Sequence, residues 1–176
     1  MEALIGLGLI ACDSGQYPAA HTFLGEAVAI ARESDCRGNL AAGLAALART
    51  ERRCGNLALS LVHASEATRI AEEIGWPVIQ MWGELETGLT RLSQGDPETA
   101  LVHTRRAVDL APKCDESWIG SEQVYRAHSR VLRAAAHIEA ANEAERLADK
   151  IVKAKADRIP DAEQRQCYFE FASRDS

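Results

Sequence analysis

A pattern of apolar residues repeats along the chain with a period of 40 residues. Glycines at positions 15, 55 and 95 each precede a segment in which apolar residues fall at matching positions. The matching sets are Ala27, Ala67 and Ala107, then Ile30, Ile70 and Leu110, then Ala31, Ala71 and Ala111. Because several matches share one register, the pattern predicts an internal repeat. A fourth unit follows after a slightly longer connection, with Ala136 where the glycine should be.

Each repeat unit has the pattern of two helices joined by a short turn. The glycine ends the first helix, because glycine enters the left-handed conformation of a helix cap at little cost. In the first unit we expect one helix from Glu2 to Ser14 and a second from about Pro18 to Glu33. In the third unit, Asp96 followed by Pro97 is a typical start of a helix. Such a pair cannot bury its apolar face alone, so neighbouring pairs must stack.

The repeat pattern sets the expected domain organisation. We expect four helix pairs over residues 1–36, 37–76, 77–116 and 117–158, and a C-terminal capping helix with a short tail over 159–176. The capping helix should run from Asp161 to Ala172, and its aromatic residues should cover the last pair, because terminal repeats need a cap. These aromatic residues are Tyr168, Phe169 and Phe171. Replacing Phe169 by alanine should then cost about 3 kcal/mol, as for a buried aromatic side chain.

Composition and charge narrow the class of protein. Hydrophobic residues make up 47% of the chain and aromatic residues only 5%, and much of the apolar content is alanine and leucine, which favour helices. The formal net charge of −6 argues against nucleic acid as a partner, because phosphate binding needs clustered positive charge. No apolar run is long enough to span a bilayer, and no export signal follows Met1. Five widely spaced cysteines fit reduced thiols, so we expect a cytoplasmic protein with no membrane partner.

The sequence lacks the motifs that carry common catalytic chemistry. It contains no phosphate-binding loop, no GxSxG elbow, no HExxH pair and no calcium-binding loop. His63 and His103 share a repeat position but belong to different units, which does not favour a metal site. Adjacent acidic residues such as Glu72 and Glu73 do not face each other on a helix. We therefore expect no enzyme activity, no cofactor and no metal.

The repeat units resemble the tetratricopeptide signature. In the first unit the resemblance is carried by Leu7, Gly8, Gly15, Tyr17, Ala20, Leu24 and Ala27, and in the third by Gly88, Gly95, Ala100, Ala107 and Pro112. The second unit departs from the signature at Ala48, Ser60 and Ala64. The 40-residue period is longer than the usual period of about 34 and resembles the variant in bacterial signalling ATPases and large ATP-dependent transcription regulators. The resemblance implies an all-α, right-handed solenoid of antiparallel helix pairs.

The resemblance also implies a binding groove, because the first helix of each tetratricopeptide repeat lines the concave side. The candidate partner-binding residues in this register are Arg49, Arg52, Arg53, Trp82, Leu85, Leu89, Leu92, Arg126, Arg130 and Arg133, beside Ile5 and Leu9 of the first unit. The last three arginines follow the spacing of one helix face. Two interpretations stay open: the arginines line a binding surface, or they are solvated or paired with Glu51, Glu84, Glu86 or Glu122. Trp82 could likewise belong to the groove or to the core.

Three hypotheses about function follow. The first is a protein-interaction module, the regulatory or sensing arm of a larger cytoplasmic signalling protein or a fragment of one. Its partner would be an acidic amphipathic segment, anchored by Leu85, Leu89 and Leu92 and oriented by the arginines. The second is a self-associating unit that dimerises through its first helix, which is apolar nearly all round. The third is a sensor that holds a small apolar ligand in the groove.

Overall fold

The computed structural model describes residues 1–114 and 121–172, except for the side chain of Phe171. Over these residues the protein is all-helical and contains no strand. The predicted boundary between the third and fourth units and the role predicted for Phe171 fall outside the described residues. None of the helices in the described part of the chain combines the length and apolarity that crossing a bilayer requires.

The described residues form nine α-helices and one short 3-10 helix. The α-helices are α1 (Glu2–Asp13), α2 (Tyr17–Glu33), α3 (Arg37–Cys54), α4 (Leu57–Glu73), α5 (Pro77–Ser93), α6 (Pro97–Leu110), α7 (Ser121–Ala134), α8 (Ile138–Ala156) and α9 (Ala162–Ala172). The 3-10 helix, Ala111–Lys113, follows α6. Each helix packs on the next along the chain, and in addition α3 contacts α1 and α5, while α5 contacts α7. The first helices of successive pairs therefore lie side by side.

The turns within the helix pairs confirm the predicted breaks. Gly15, Gly55 and Gly95 have φ angles of 73°, 84° and 79°, the left-handed conformation expected at the end of each first helix. Ala136 takes the corresponding place after α7 with φ of 61°. An alanine in this conformation carries a strain that glycine avoids. The fourth turn therefore keeps the geometry of the other three without their glycine.

Small residues let the helices of a pair approach closely. The recurring alanines Ala27, Ala67 and Ala107 are fully buried, as the repeat pattern predicts. On the facing helix, a Cβ atom added to Gly88 would lie 2.6 Å from Cγ2 of Thr104 and 3.1 Å from the carbonyl oxygen of Ala100. The distance of 2.6 Å is too short for contact between a Cβ atom and another carbon atom. The approach of α5 to α6 therefore depends on the absence of a side chain at position 88.

The predicted C-terminal helix is present as α9, which contacts α8. Asp161 begins it by accepting a hydrogen bond from the backbone N–H of Gln164 at 2.8 Å. Two of its aromatic side chains, those of Tyr168 and Phe169, are only half-buried and so are less covered than predicted. The loss expected for Phe169→Ala is therefore smaller than the value of about 3 kcal/mol for a fully buried aromatic ring.

Candidate functional site

The first helices of the four pairs, α1, α3, α5 and α7, form a continuous surface that we call the first-helix face. Two adjoining depressions lie on this face. Four residues border both of them: Arg49, Trp82, Glu86 and Gln123. The depressions are therefore two parts of one groove, with Arg49 and Trp82 at their junction.

The first depression, the apolar cavity, has a volume of about 370 Å³. Its apolar lining residues are Ile5, Leu9, Ala42, Ala45, Ala46, Trp76, Val78, Ile79 and Trp82. The cavity exists because α3 presents alanines at spacings of three and four residues, and these short side chains leave space between α1 and α5. Trp76 and Trp82 are half-buried, so each ring packs on the core and also lines the cavity. Trp82 therefore contacts the core with one part of its ring and borders the cavity with another.

The second depression, the arginine cleft, has a volume of only about 30 Å³. Seven of the ten predicted groove residues line it, namely Arg49, Arg52, Trp82, Leu85, Leu89, Arg126 and Arg130. Space of this size holds about one water molecule. The cleft is therefore a narrow slot that cannot admit an apolar side chain unless the arginines move.

The arginines from α3 are held by carboxylates of neighbouring helices. Arg52 donates from Nε to Oε2 of Glu86 on α5 at 2.8 Å, and both side chains are nearly buried, with exposed fractions of 11% and 3%. Arg49 and Arg53 both contact Oδ1 of Asp13 at the end of α1, at 2.9 and 3.0 Å. Two guanidinium groups thus share one half-exposed carboxylate.

The arginines from α7 have other partners. Arg126 donates to Glu145 at 2.6 Å and to Asp149 at 3.0 Å, both on α8. Its Nε atom is buried and has no hydrogen-bond partner among the described residues. Arg133 donates to Oδ1 of Asn142 at 2.9 Å and lies outside the cleft. Of the α7 arginines, Arg126 and Arg130 therefore border the groove, and Arg133 does not.

The prediction that the α5 leucines form exposed anchors is wrong for Leu85 and Leu89, which are only 2% and 6% exposed. They form the floor of the arginine cleft because the same face of α5 packs on α6 and α7, in one cluster with Ala107 and Val124. Leu92 is half-buried against a different cluster and borders neither depression. Exposed apolar surface on the groove comes instead from α1, the start of α5 and the two tryptophans.

The alternative interpretation is that the groove arginines are solvated or paired with Glu51, Glu84, Glu86 or Glu122, and one such pair is present. Glu86 pairs with Arg52, as described above. The other three are also buried but have partners elsewhere: Glu51 accepts from Asn56, Glu84 lies 2.7 Å from His103, and Glu122 accepts from Lys155. These three side chains therefore join helices within the core. Arg49 pairs instead with Asp13, and Arg126 pairs with Glu145 and Asp149.

Sequence reasoning also missed several residues that border the groove. The groove is also lined by four residues that are not among the candidates predicted from the sequence, namely Ala42, Val78, Ile79 and Gln123. Val78 and Trp82 are four residues apart, the spacing of one helix face, so the signal was present in the sequence. No comparable signal identified Asp13, because its partners are 36 and 40 residues away in the chain.

The described residues contain no group of three or more histidine, cysteine or acidic side chains that could hold a metal ion. No protein-family model matches the chain, and no curated protein is significantly similar to it in sequence. Inferences about function therefore rest on the geometry of the first-helix face and on the repeat pattern.

Proposed function

We propose that the chain is a protein-interaction module, a right-handed tetratricopeptide-like solenoid whose first-helix face binds an acidic amphipathic segment of a partner protein. The observation that carries the proposal is the apolar cavity of about 370 Å³, which adjoins a row of arginines on the same face. An amphipathic segment has one apolar and one charged side, and this groove offers surfaces complementary to both.

The apolar cavity supplies the anchor site. Its volume lies within the range of about 300–1,000 Å³ that is typical of ligand-binding pockets. Each large aliphatic or aromatic side chain that leaves water contributes about 2 kcal/mol. Trp76 and Trp82 provide rigid walls, and aromatic residues of this kind dominate the energetics of many interfaces. A partner would therefore insert one or two bulky apolar side chains between α1 and the start of α5.

Arg49 is the residue best placed to select an acidic partner. It borders both the apolar cavity and the arginine cleft, and it shares the carboxylate of Asp13 with Arg53. With a second carboxylate supplied by the partner, Arg49 and Arg53 would each have an acidic group of their own. Arginine binds carboxylates in a two-pronged geometry.

Arg126 and Arg52 have a structural role beside any binding role. Arg126 is held by two carboxylates of α8, so replacing it with glutamate would place three acids together and weaken the contact between α7 and α8. Arg52 is locked to the buried Glu86. Charge reversal at these positions would disturb the fold. Arg49, whose partner Asp13 is half-exposed, is the better probe of recognition.

The wider biological role rests on the sequence resemblance. We infer a regulatory or sensing arm of a larger cytoplasmic signalling protein, because the long repeat period resembles that of bacterial signalling ATPases and transcription regulators. The apolar cavity also favours a second candidate, a sensor of a small apolar molecule, since the cavity alone would hold such a ligand without the arginines.

The test uses helical peptides that carry leucine or phenylalanine at positions i, i+3 and i+7 with glutamates on the flanks. A matched set carries lysine in place of each glutamate. Binding is followed by intrinsic tryptophan fluorescence, because Trp76 and Trp82 line the cavity. We expect the acidic peptides to bind at least about tenfold more tightly than the basic set at low salt, with the difference shrinking as salt rises.

Two variants locate the binding site. Arg49→Gln should lower the affinity for acidic peptides about tenfold, because it removes one charge-assisted contact, and should leave the affinity for an uncharged apolar peptide unchanged. Trp82→Ala should lower the affinity for both kinds of peptide. Equal affinity for acidic and basic peptides would contradict the proposed partner chemistry. Binding of small apolar molecules without binding of any peptide would favour the sensor instead.

A further inference from the structure

A cavity of about 500 Å³, which we call the second-helix cavity, lies between α4 and α6, with α5 as its floor. The floor is formed by Glu84, Thr87 and Arg91, whose spacing places them on one face of α5. That face is opposite to the one that carries Trp82 and Leu89. None of the residues that line this cavity borders the groove, so the second-helix cavity is a separate site.

The repeat register shows that helix packing does not require polar residues on this floor. In α3 the positions 40 residues earlier are Leu44, Leu47 and Glu51, and all three are buried. In α5 the two leucines are replaced by Glu84 and Thr87. A polar residue at a position that is apolar elsewhere in a repeat is typical of a functional site, because it gives up packing that the fold could use.

Arg91 is a positive charge on this floor without an acidic partner. Its Nη1 atom donates to Oε1 of Gln94 at 3.1 Å, and its Nε atom is buried and has no hydrogen-bond partner among the described residues. Within the described part of the chain Arg91 forms no ion pair, whereas Arg49, Arg52 and Arg126 each contact a carboxylate. Because a charge that is partly withdrawn from water is costly unless it is paired, Arg91 favours an anionic ligand.

The acids that line the cavity limit the charge of that ligand. Glu84 lies 2.7 Å from Nδ1 of His103, and Glu72 accepts from Gln80 at 3.0 Å. These two carboxylates would repel a ligand with several negative charges, such as phosphate. A single carboxylate matches the planar guanidinium group of Arg91 in a two-pronged geometry and adds the least repulsion.

Hydroxyl groups of α4 and α5 indicate the rest of the ligand. Thr87 lies one helical turn before Arg91 and donates to the carbonyl oxygen of Gly83 at 2.9 Å, and Ser65 donates to that of Val62 at 3.0 Å. Each of these hydroxyl oxygens can still accept a hydrogen bond from a ligand. We propose that the second-helix cavity binds a small monocarboxylic acid that carries hydroxyl groups, with its carboxylate on Arg91 and its hydroxyl groups on Thr87 and Ser65.

Titration of the full chain with sodium gluconate at constant ionic strength, followed by ligand-detected NMR, tests the proposal. Gluconate carries one carboxylate and several hydroxyl groups. We expect a dissociation constant on the order of 1 mM, the affinity that is typical of a ligand with about 13 non-hydrogen atoms. Glucose, which lacks the carboxylate, and inorganic phosphate, which carries more charge, should each bind at least about tenfold more weakly.

Three variants locate the site. Arg91→Gln should lower the affinity for gluconate at least about tenfold, and Thr87→Val, which keeps the shape but removes the hydroxyl, should lower it about threefold. Arg105→Gln changes an exposed arginine of α6 that does not line the cavity, and it should bind gluconate like the unchanged chain. Circular dichroism and peptide binding in the groove should be the same in all three variants, because the groove lies on the opposite face of α5.

Four results would overturn the proposal. They are no binding of gluconate up to about 20 mM, binding of glucose or phosphate as tight as that of gluconate, an unchanged affinity in Arg91→Gln, and an equal loss of affinity in Arg105→Gln. An unchanged affinity in Thr87→Val would show that the hydroxyl groups of the ligand make no contact with the floor, and the assignment to a hydroxylated acid would be wrong.

Discussion

The apolar cavity and the arginine cleft adjoin each other on the first-helix face, and they differ about twelvefold in volume, at about 370 and 30 Å³. The cavity is open because α3 presents Ala42, Ala45 and Ala46 there, whose side chains are too short to fill the space. The cleft is closed because Arg52 and Glu86 reach across it and pair above a floor of leucines. The length of the side chains on α3 and α5 therefore decides whether a part of the groove is open to a ligand or is filled by the protein's own side chains.

The two parts also differ in how they stabilise the protein. Around the cavity, stability comes from apolar burial that falls gradually as side chains are shortened. At the cleft it depends on buried charges, which are costly to bury and tolerate the loss of a partner poorly. The largest effect of a substitution is therefore expected at the buried ion pair of the cleft.

Glu86→Ala should destabilise the protein by about 3 kcal/mol or more. The substitution leaves Arg52 with its guanidinium group nearly buried and without the acid that it contacts at 2.8 Å. Urea unfolding monitored by circular dichroism measures the loss.

The matched control replaces both partners. Arg52→Met combined with Glu86→Leu should unfold close to the unchanged chain, because apolar residues of similar volume can replace a buried ion pair at little cost. If Glu86→Ala itself costs less than about 1 kcal/mol, the pair is solvated in solution and the distinction between the two parts of the groove fails.

The sequence predicted the fold well because helix breaks are local events. The glycine turns at 15, 55 and 95, and the cap at Asp96, which accepts from the backbone N–H of Thr99 at 3.0 Å, depend on residues a few positions apart. Because the pattern repeats, the same local signal predicts several turns. The fourth turn, at Ala136, is predicted only by its position in the repeat, because alanine does not favour the left-handed conformation.

The candidate site was predicted only in part because periodicity gives the face of a helix but not the depth of a residue. Leu85 and Leu89 were placed on the correct face, yet they form a floor beneath the arginines. The partners of the arginines were missed because pairs such as Arg49 with Asp13 depend on how one helix pair is set against the next. That offset is a property of the packed structure and leaves no pattern in the chain.

Paired leucine substitutions should separate the two depressions directly. Ala45 and Ala127 are both 7% exposed, but Ala45 lines the open cavity and Ala127 lines the closed cleft. Ala127→Leu should cost about 1–3 kcal/mol, because added methylenes have no free space there. Ala45→Leu should change stability by less than about 1 kcal/mol, because the cavity accommodates the larger side chain.

The same pair of variants links stability to recognition. Ala45→Leu occupies the proposed anchor site and should weaken the acidic amphipathic peptide while leaving unfolding nearly unchanged. Thermal unfolding and tryptophan fluorescence titration of the same samples measure both effects. Equal destabilisation by the two substitutions would mean that the cavity closes in solution, and the anchor site would be lost with it.

The smallest expected effect is a dependence of stability on pH at α7, behind the arginine cleft. Nδ1 of His128 lies 2.9 Å from the hydroxyl of Thr104 on α6. Burial lowers the pKa of His128, and the nearby Arg105 lowers this pKa further, while Asp109 opposes the shift. The unfolded chain, with a histidine pKa of about 6.5, therefore binds the proton more readily than the folded chain. Stability should fall as the pH drops through 6.5 toward the lowered pKa.

His128→Asn isolates this contribution, because the asparagine amide can occupy the place of Nδ1 and keep the contact with Thr104 without titrating in this range. The unchanged chain should lose more stability between about pH 7.5 and about pH 5.5 than His128→Asn does. Urea midpoints at the two pH values measure the difference, and His137→Asn, at an exposed position, serves as the control.

Burial also lowers the pKa of His63, so part of the pH dependence should remain in His128→Asn. Because the apolar cavity is lined chiefly by α1, α3 and α5, an uncharged apolar peptide should bind equally well at both pH values. If His128→Asn loses as much stability on acidification as the unchanged chain, the side chain of His128 is not shielded from water in solution. The contact between His128 on α7 and Thr104 on α6 would then be open to solvent.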